Sequence, residues 1–132
     1  VSALNFDFGP TPTFPAAAPV TSAVFTGTTL LVPQFAVINT TSSGTVIVGV
    51  PGLMIRVLAM DLVSSAAVTI EWQTQTGSAI ISGPQAFAQN GGIVRPFNQA
   101  GWFQTLLGDA LLINLSVGAT VGGNITFVTT PS

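Results

Sequence analysis

The sequence predicts an all-β protein: a two-sheet antiparallel sandwich, jelly-roll-like, with an extended Pro-rich N-terminal arm. Three observations carry that expectation. Short runs rich in Val, Ile, Thr and Phe show period-2 alternation, the spacing that puts successive side chains on opposite faces of a strand. Turn chemistry recurs about every 8–12 residues, as in sandwiches and barrels. No capped stretch of ten or more residues carries the 3.6-residue apolar period of a helix. The chain divides into an arm over residues 1–27 and a β-sandwich domain over residues 28–132.

The arm holds four of the nine prolines (Pro10, Pro12, Pro15 and Pro19). Proline fixes φ, lacks a donor and biases its predecessor toward extended backbone, so neither a helix nor a central strand fits. Phe6, Phe8, Phe14 and Phe25 punctuate the same stretch. Two readings follow: the rings fold back onto their own domain, or the arm docks them on a neighbouring subunit. Burying each ring is worth roughly 1.5–3 kcal/mol, enough for either docking to order the arm.

Residues 28–75 are β-rich. Val46, Ile47, Val48 and Val50 follow the turn signal Ser42-Ser43-Gly44. Next, Leu53, Ile55, Val57 and Ala59 alternate with Met54, Arg56, Leu58 and Met60, which makes both faces apolar. That pattern predicts a central strand covered by the core on one side and by a subunit contact on the other. The cleanest alternation sets Val68, Ile70 and Trp72 inward and Thr69, Glu71 and Gln73 outward.

Residues 76–132 alternate short strands with turns at Thr76-Gly77-Ser78, Ser82-Gly83-Pro84, Asn90-Gly91-Gly92 and Gly108-Asp109. Strands are expected over 79–81, 86–88, 102–105, 110–116 and 124–129. Leu111, Ile113 and Leu115, then Ile125 and Phe127, mark inward faces. Eight to ten strands suit a jelly roll or an immunoglobulin-like sandwich. The latter loses its disulfide and its tyrosine corner, because the chain has no Cys and no Tyr. The jelly roll is therefore preferred.

Composition excludes several function classes. Only Asp7, Arg56, Asp61, Glu71, Arg95 and Asp109 are charged, giving a net charge of −2. An average soluble chain of this length carries about thirty charged residues. Two arginines leave counterion-release binding to nucleic acid little to work with. The lack of His and Cys removes imidazole bases, thiol nucleophiles, disulfides and zinc sites. The longest apolar run, residues 46–60, is broken by Gly49, Pro51, Gly52 and Arg56 and falls short of the about twenty residues a spanning helix needs. With no basic residue among the first 30 and a small residue at position 1, the expectation is a soluble protein made in the cytoplasm. Ser, Thr, Asn and Gln supply 40 residues, so the polar groups are mostly neutral and protect the surface poorly against self-association.

Four carboxylates allow paired-acid chemistry on paper, with Asp61 and Glu71 at the ends of adjacent strands about 5–10 Å apart. Against this, Glu71 reads as the outward residue of an alternating strand and Asp61 as a turn residue. Arg56 or Arg95 pairs with one of the acids in a structural or interface ion pair. A cation site from Asp61 and Asp109 has no EF-hand spacing behind it. Asn90-Gly91-Gly92 and Val121-Gly122-Gly123 match no phosphate-binding loop and read as hairpin and bulge positions. No cofactor and no enzymatic activity are expected.

Within residues 80–115 the chain reads Ile80-Ile81-Ser82-Gly83-Pro84, then Phe87-Ala88-Gln89-Asn90-Gly91-Gly92, then Gly101-Trp102-Phe103, then Gly108-Asp109-Ala110-Leu111-Leu112-Ile113-Asn114-Leu115. Over roughly residues 53–128 this resembles a family of small virion structural proteins of tailed bacteriophages. The resemblance implies a β-sandwich and a structural role rather than a reaction. The expected role is head decoration (cement) on the capsid exterior, bridging adjacent major capsid subunits. The alternative is a tail, spike or fibre accessory protein that binds host glycan, with Trp72 or Trp102 stacking on sugar. The implied partners are the major capsid protein and further copies of the chain (a homotrimer preferred, a dimer next), with no nucleic acid and no membrane. The expected interface residues are Phe6, Phe8, Phe14, Phe25, Arg56 and Arg95.

Overall fold

The structure, a computed structural model, describes residues 23–26 and 29–131. Eleven strands and one 3₁₀ turn follow in order: β1 Val24–Thr26, β2 Thr29–Leu31, β3 Gln34–Thr40, β4 Gly44–Ile47, β5 Met54–Ser64, β6 Val68–Thr74, the turn Thr76–Ser78, β7 Ala79–Phe87, β8 Gly92–Arg95, β9 Phe103–Gln104, β10 Leu111–Leu115 and β11 Val121–Thr130. One antiparallel sheet has the order β3-β11-β5-β8, with β9 also paired to β5; the other has the order β4-β10-β6-β7. The chain crosses repeatedly from one sheet to the other, and this order is that of a jelly roll, eight strands in two Greek keys. Strands β1 and β2 form a separate hairpin. No helix among the described residues is long and apolar enough to cross a membrane.

Alternation builds the core as the sequence implies. Ile70 and Trp72 of β6, Leu111 and Ile113 of β10, and Val121 and Ile125 of β11 are all buried between the sheets. Trp72 stacks on Phe103 from the opposite sheet, ring centroids 5.8 Å apart and 27° from parallel. Glu71 and Gln73 lie on the other side of β6, half-buried. The turns around Ser42-Ser43, Thr76-Gly77-Ser78, Asn90 and Gly108 all form, with Gly77, Ser78, Asn90 and Gly108 at positive φ.

Four local expectations are corrected. First, β5 does not alternate throughout. Opposite β11, Thr126 pairs with Ala59 but Phe127 pairs with Val57, so Leu58 is an extra residue in a bulge. The slip lets Val57 and Met60 both reach the main core, while Leu58 turns to the outer side. Leu58 is fully buried there by the chain's own hairpin, against Val24, Leu31 and Val128. Own-chain packing thus fills a position the sequence assigned to a subunit contact.

Second, Ser82-Gly83-Pro84 does not end a strand: β7 runs through it, and the two short strands expected there are one. Proline is tolerated because β7 is an edge strand and its register against β6 shifts at two places. Third, Gly122-Gly123 lies inside β11 rather than in a hairpin. A Cβ on Gly123 would collide with the Asp61 carbonyl oxygen, so glycine is what lets β11 approach β5. Fourth, β4 stops at Ile47, leaving Val48 and Val50 exposed. Gly49 then passes so close to the Gly108 carbonyl that a Cβ there would overlap it.

Candidate functional site

The outer face of the β3-β11-β5-β8 sheet is the most distinctive surface. Register places Val37, Asn124, Asp61 and Val94 in one row across the four strands. Phe35, Thr126 and Ala59 form a neighbouring row, and Asn39, Gly122, Val63 and Gly92 another. Phe35 is 82% exposed, Val37 75%, Val94 73% and Val63 57%. Two apolar flanks therefore border a polar centre, and Asp61 is the one charged side chain in these rows. Its Oδ1 accepts the Asn124 amide at 3.1 Å.

The β1–β2 hairpin covers the far end of this face. Val24 sits over Leu58 and Val128, and the Thr26 and Thr130 hydroxyls share a 2.6 Å hydrogen bond. Of the expected interface residues, Phe6, Phe8 and Phe14 lie outside the described residues. Phe25, the alternate residue of β1, is 48% exposed while Val24 is buried. Arg56 lies opposite Val128 in the ladder and donates from Nε to Gln104 Oε1 at 3.0 Å. Arg95 turns the other way. It lies opposite inward-facing Met60, with its guanidinium 5.4 Å from the Trp102 ring centroid and 5.8 Å from that of Phe103. Burial lowers the Arg95 pKa from its ordinary value. The fold thus sends the three described interface candidates to different places, and it exposes Phe35, Val37, Val63 and Val94, which are not among those candidates. The signal for β3 was present: Phe35, Val37 and Asn39 alternate with Ala36 and Ile38.

The two tryptophans offered for sugar stacking separate. Trp72 is fully buried and presents no ring to a ligand. Trp102 is 39% exposed, and its indole N–H donates to the Pro96 carbonyl at 2.9 Å. Together with the Arg95 contact, this pins the 96–102 loop. The same loop caps the bulge, since Asn98 and Trp102 donate backbone N–H groups to the Leu58 and Val57 carbonyls at 2.9 and 2.8 Å.

Paired-acid chemistry has no geometry here. Asp61 is an exposed residue within β5 rather than a turn residue, and it lies on the outer face of one sheet. Glu71 lies on the outer face of the other, where its Oε1 accepts from Gln73 Nε2 at 3.2 Å and Asn114 Nδ2 at 3.4 Å. Packed sheets stand about 10 Å apart, and these carboxylates point away from each other across both sheets. Asp109 is elsewhere again. It accepts from Thr74 Oγ1 at 2.6 Å, and from the Thr76 amide and hydroxyl at 2.7 Å each. The Thr74 hydroxyl first, then the Thr76 amide and hydroxyl, hold its carboxyl below the usual carboxylate range, with burial acting in the opposite sense. Among the described residues no cluster of three Asp, Glu, His or Cys groups could hold a metal ion.

Searches of known protein families, curated proteins and solved structures find no match to this chain.

Proposed function

We propose that the chain is a structural virion protein that decorates the exterior of a tailed-phage capsid and bridges adjacent major capsid subunits. The observation that carries the reading is the outer face of the β3-β11-β5-β8 sheet, where Phe35, Val37, Val63 and Val94 all stand in solvent. Each Å² of apolar surface taken from water there contributes roughly 25 cal/mol, so the face gains by being covered. With six charged residues in 132, the remaining surface is hydrated by neutral hydroxyl and amide groups. Such a surface suits a fixed place in an assembly better than free diffusion at high concentration. The motifs within residues 80–115, read from the sequence as resembling virion structural proteins of tailed phages, imply the same role.

The test uses particles assembled with and without the protein. Decorated particles should retain DNA to a higher temperature than bare ones, and adding purified protein back should restore the difference. The protein should be present in tens to hundreds of copies per particle. Val63→Asp and Val94→Asp place charge on exposed positions of the face, and they should lower occupancy without unfolding the domain. Unchanged heat resistance in bare particles would sink the clamping role, and a copy number of only a few would move the protein to the tail.

A further inference from the structure

A jelly roll has four sheet edges, and three of these are blunted. Strand β7 carries Pro84 and two register shifts. Strand β8 is four residues long, ends in Arg95 and runs straight into Pro96. Strand β4 is also four residues long, and its register against β10 shifts between Leu111 and Leu112. Short strands, proline, edge charge and bulges are the devices that stop an edge from pairing with another chain. Strand β3 follows Pro33 but carries none of them within its own seven residues. It pairs with β11 through seven consecutive residues, Gln34 to Phe127 through Thr40 to Val121, without a shift. No residue of Gln34–Thr40 is charged or proline, and no described strand pairs with its other side.

We propose that β3 is a self-association edge: two copies of the chain pair their β3 strands antiparallel about a two-fold axis through Val37, joining two sheets into one. The chemistry of an open edge selects its occupant, because a row of main-chain donors and acceptors is satisfied by another extended strand. The Pro-rich stretch of the N-terminal arm fits poorly, since Pro10, Pro12, Pro15 and Pro19 each lack the donor a ladder needs. A second β3 fits well. With Val37 on the axis all seven residues pair, Val37 faces Val37 of the second copy, and Phe35 faces Asn39. A two-fold axis normal to the sheet keeps outer face with outer face, so the exposed flank of Phe35 and Val37 doubles in width. The contact is isologous and closes at two copies.

The proposal concerns self-association alone and stands whether or not the protein binds capsids. In sedimentation of the full chain at high micromolar concentration, the wild type should run as a dimer. Val37→Lys sets two like charges opposite each other across the axis and should return a folded monomer. Val94→Lys, equally exposed on the same face but on β8, should remain a dimer. Because the chain contains no cysteine, Val37→Cys introduces a single thiol. Directly opposed residues of an antiparallel pair have Cα atoms about 4.5–5.5 Å apart, within the range of about 4.4–6.8 Å that a disulfide spans. Mild oxidation should therefore link Val37→Cys into a covalent dimer and leave Val94→Cys monomeric on a denaturing gel. A monomeric wild type, a Val37→Lys variant that still dimerises, or a Val37→Cys variant that does not link would each overturn the proposal.

Discussion

Asp109 shows how a nearly uncharged chain uses one of its few carboxylates. The side chain is buried, yet both oxygens are engaged, Oδ2 by Thr74 Oγ1 and the Thr76 amide, and Oδ1 by the Thr76 hydroxyl. Thr74 Oγ1 in turn accepts the Leu106 amide at 3.0 Å, and Gln75 Oε1 accepts the Ala110 amide at 3.0 Å. This network ties the 105–110 loop to the end of β6 with hydrogen bonds that an apolar loop could not make for itself. Because these donors favour the ionised form, the folded pKa lies below the unfolded one. The sign of the linkage follows. The stabilisation is fully present above the unfolded carboxyl value of about 3.9, and it is lost as pH falls from there through the lower folded value. Thermal melts should therefore show a falling melting temperature below about pH 4. Asp109→Asn should melt lower than wild type at neutral pH and show a flatter acid limb. An acid limb of wild-type steepness in Asp109→Asn would mean that another group controls it.

Strands, unlike single residues, answer to two constraints at once, and β5 records where they conflict. Eleven residues of near-continuous apolar character must serve a core on one side and a shorter cover on the other. The bulge at Leu58 resolves this by shifting phase, so that Val57 and Met60 both face the core while Leu58 meets the hairpin. Leu58→Ala opens a cavity beneath β1 and should cost about 2–5 kcal/mol in denaturant unfolding. Combined with Val24→Ala in a double-mutant cycle, it should show a coupling of about 0.5–3 kcal/mol, as expected for residues in contact. Additive effects would mean that the hairpin does not rest on the bulge in solution. The same strand marks what was legible in the sequence. Where alternation was clean, as at Val68 to Gln73 and Leu111 to Leu115, the inward set could be read directly. It failed where backbone irregularity intervened, because a bulge at Leu58 or a proline tolerated at the edge position of Pro84 depends on which strand lies alongside. Pairing of that kind is fixed by tertiary context. The exposed face escaped notice for the same reason: Phe35 and Val37 look like any core-facing pair until Ile38 is known to point the other way.

At the scale of the whole molecule, scarcity of charge makes a prediction of its own about attachment. Salt weakens binding only in so far as the binding is Coulombic, because screening shortens the reach of charges from about 10 Å at 0.1 M to about 3 Å at 1 M. Of the six charged residues, Asp109 is engaged with Thr74 and Thr76, and Arg95 is stacked on Trp102 and Phe103. Asp61 is the lone charge within the rows joining Phe35, Val37, Val63 and Val94, and Asp61 is itself bonded to the Asn124 amide. An attachment made by this face then rests on apolar burial and neutral hydrogen bonds, terms that rise or hold as salt increases. On the proposed decoration role, capsid occupancy should stay flat from low salt to 1 M sodium chloride, and excluded kosmotropes such as sulfate should hold it or raise it. Moderate urea should strip the protein, since urea weakens both apolar burial and peptide hydrogen bonding. The discriminating measurement is occupancy after pelleting particles across a sodium chloride series. A steep loss between 0.1 and 1 M would mean that the capsid side supplies the charge and that Asp61, not the apolar flanks, makes the principal contact.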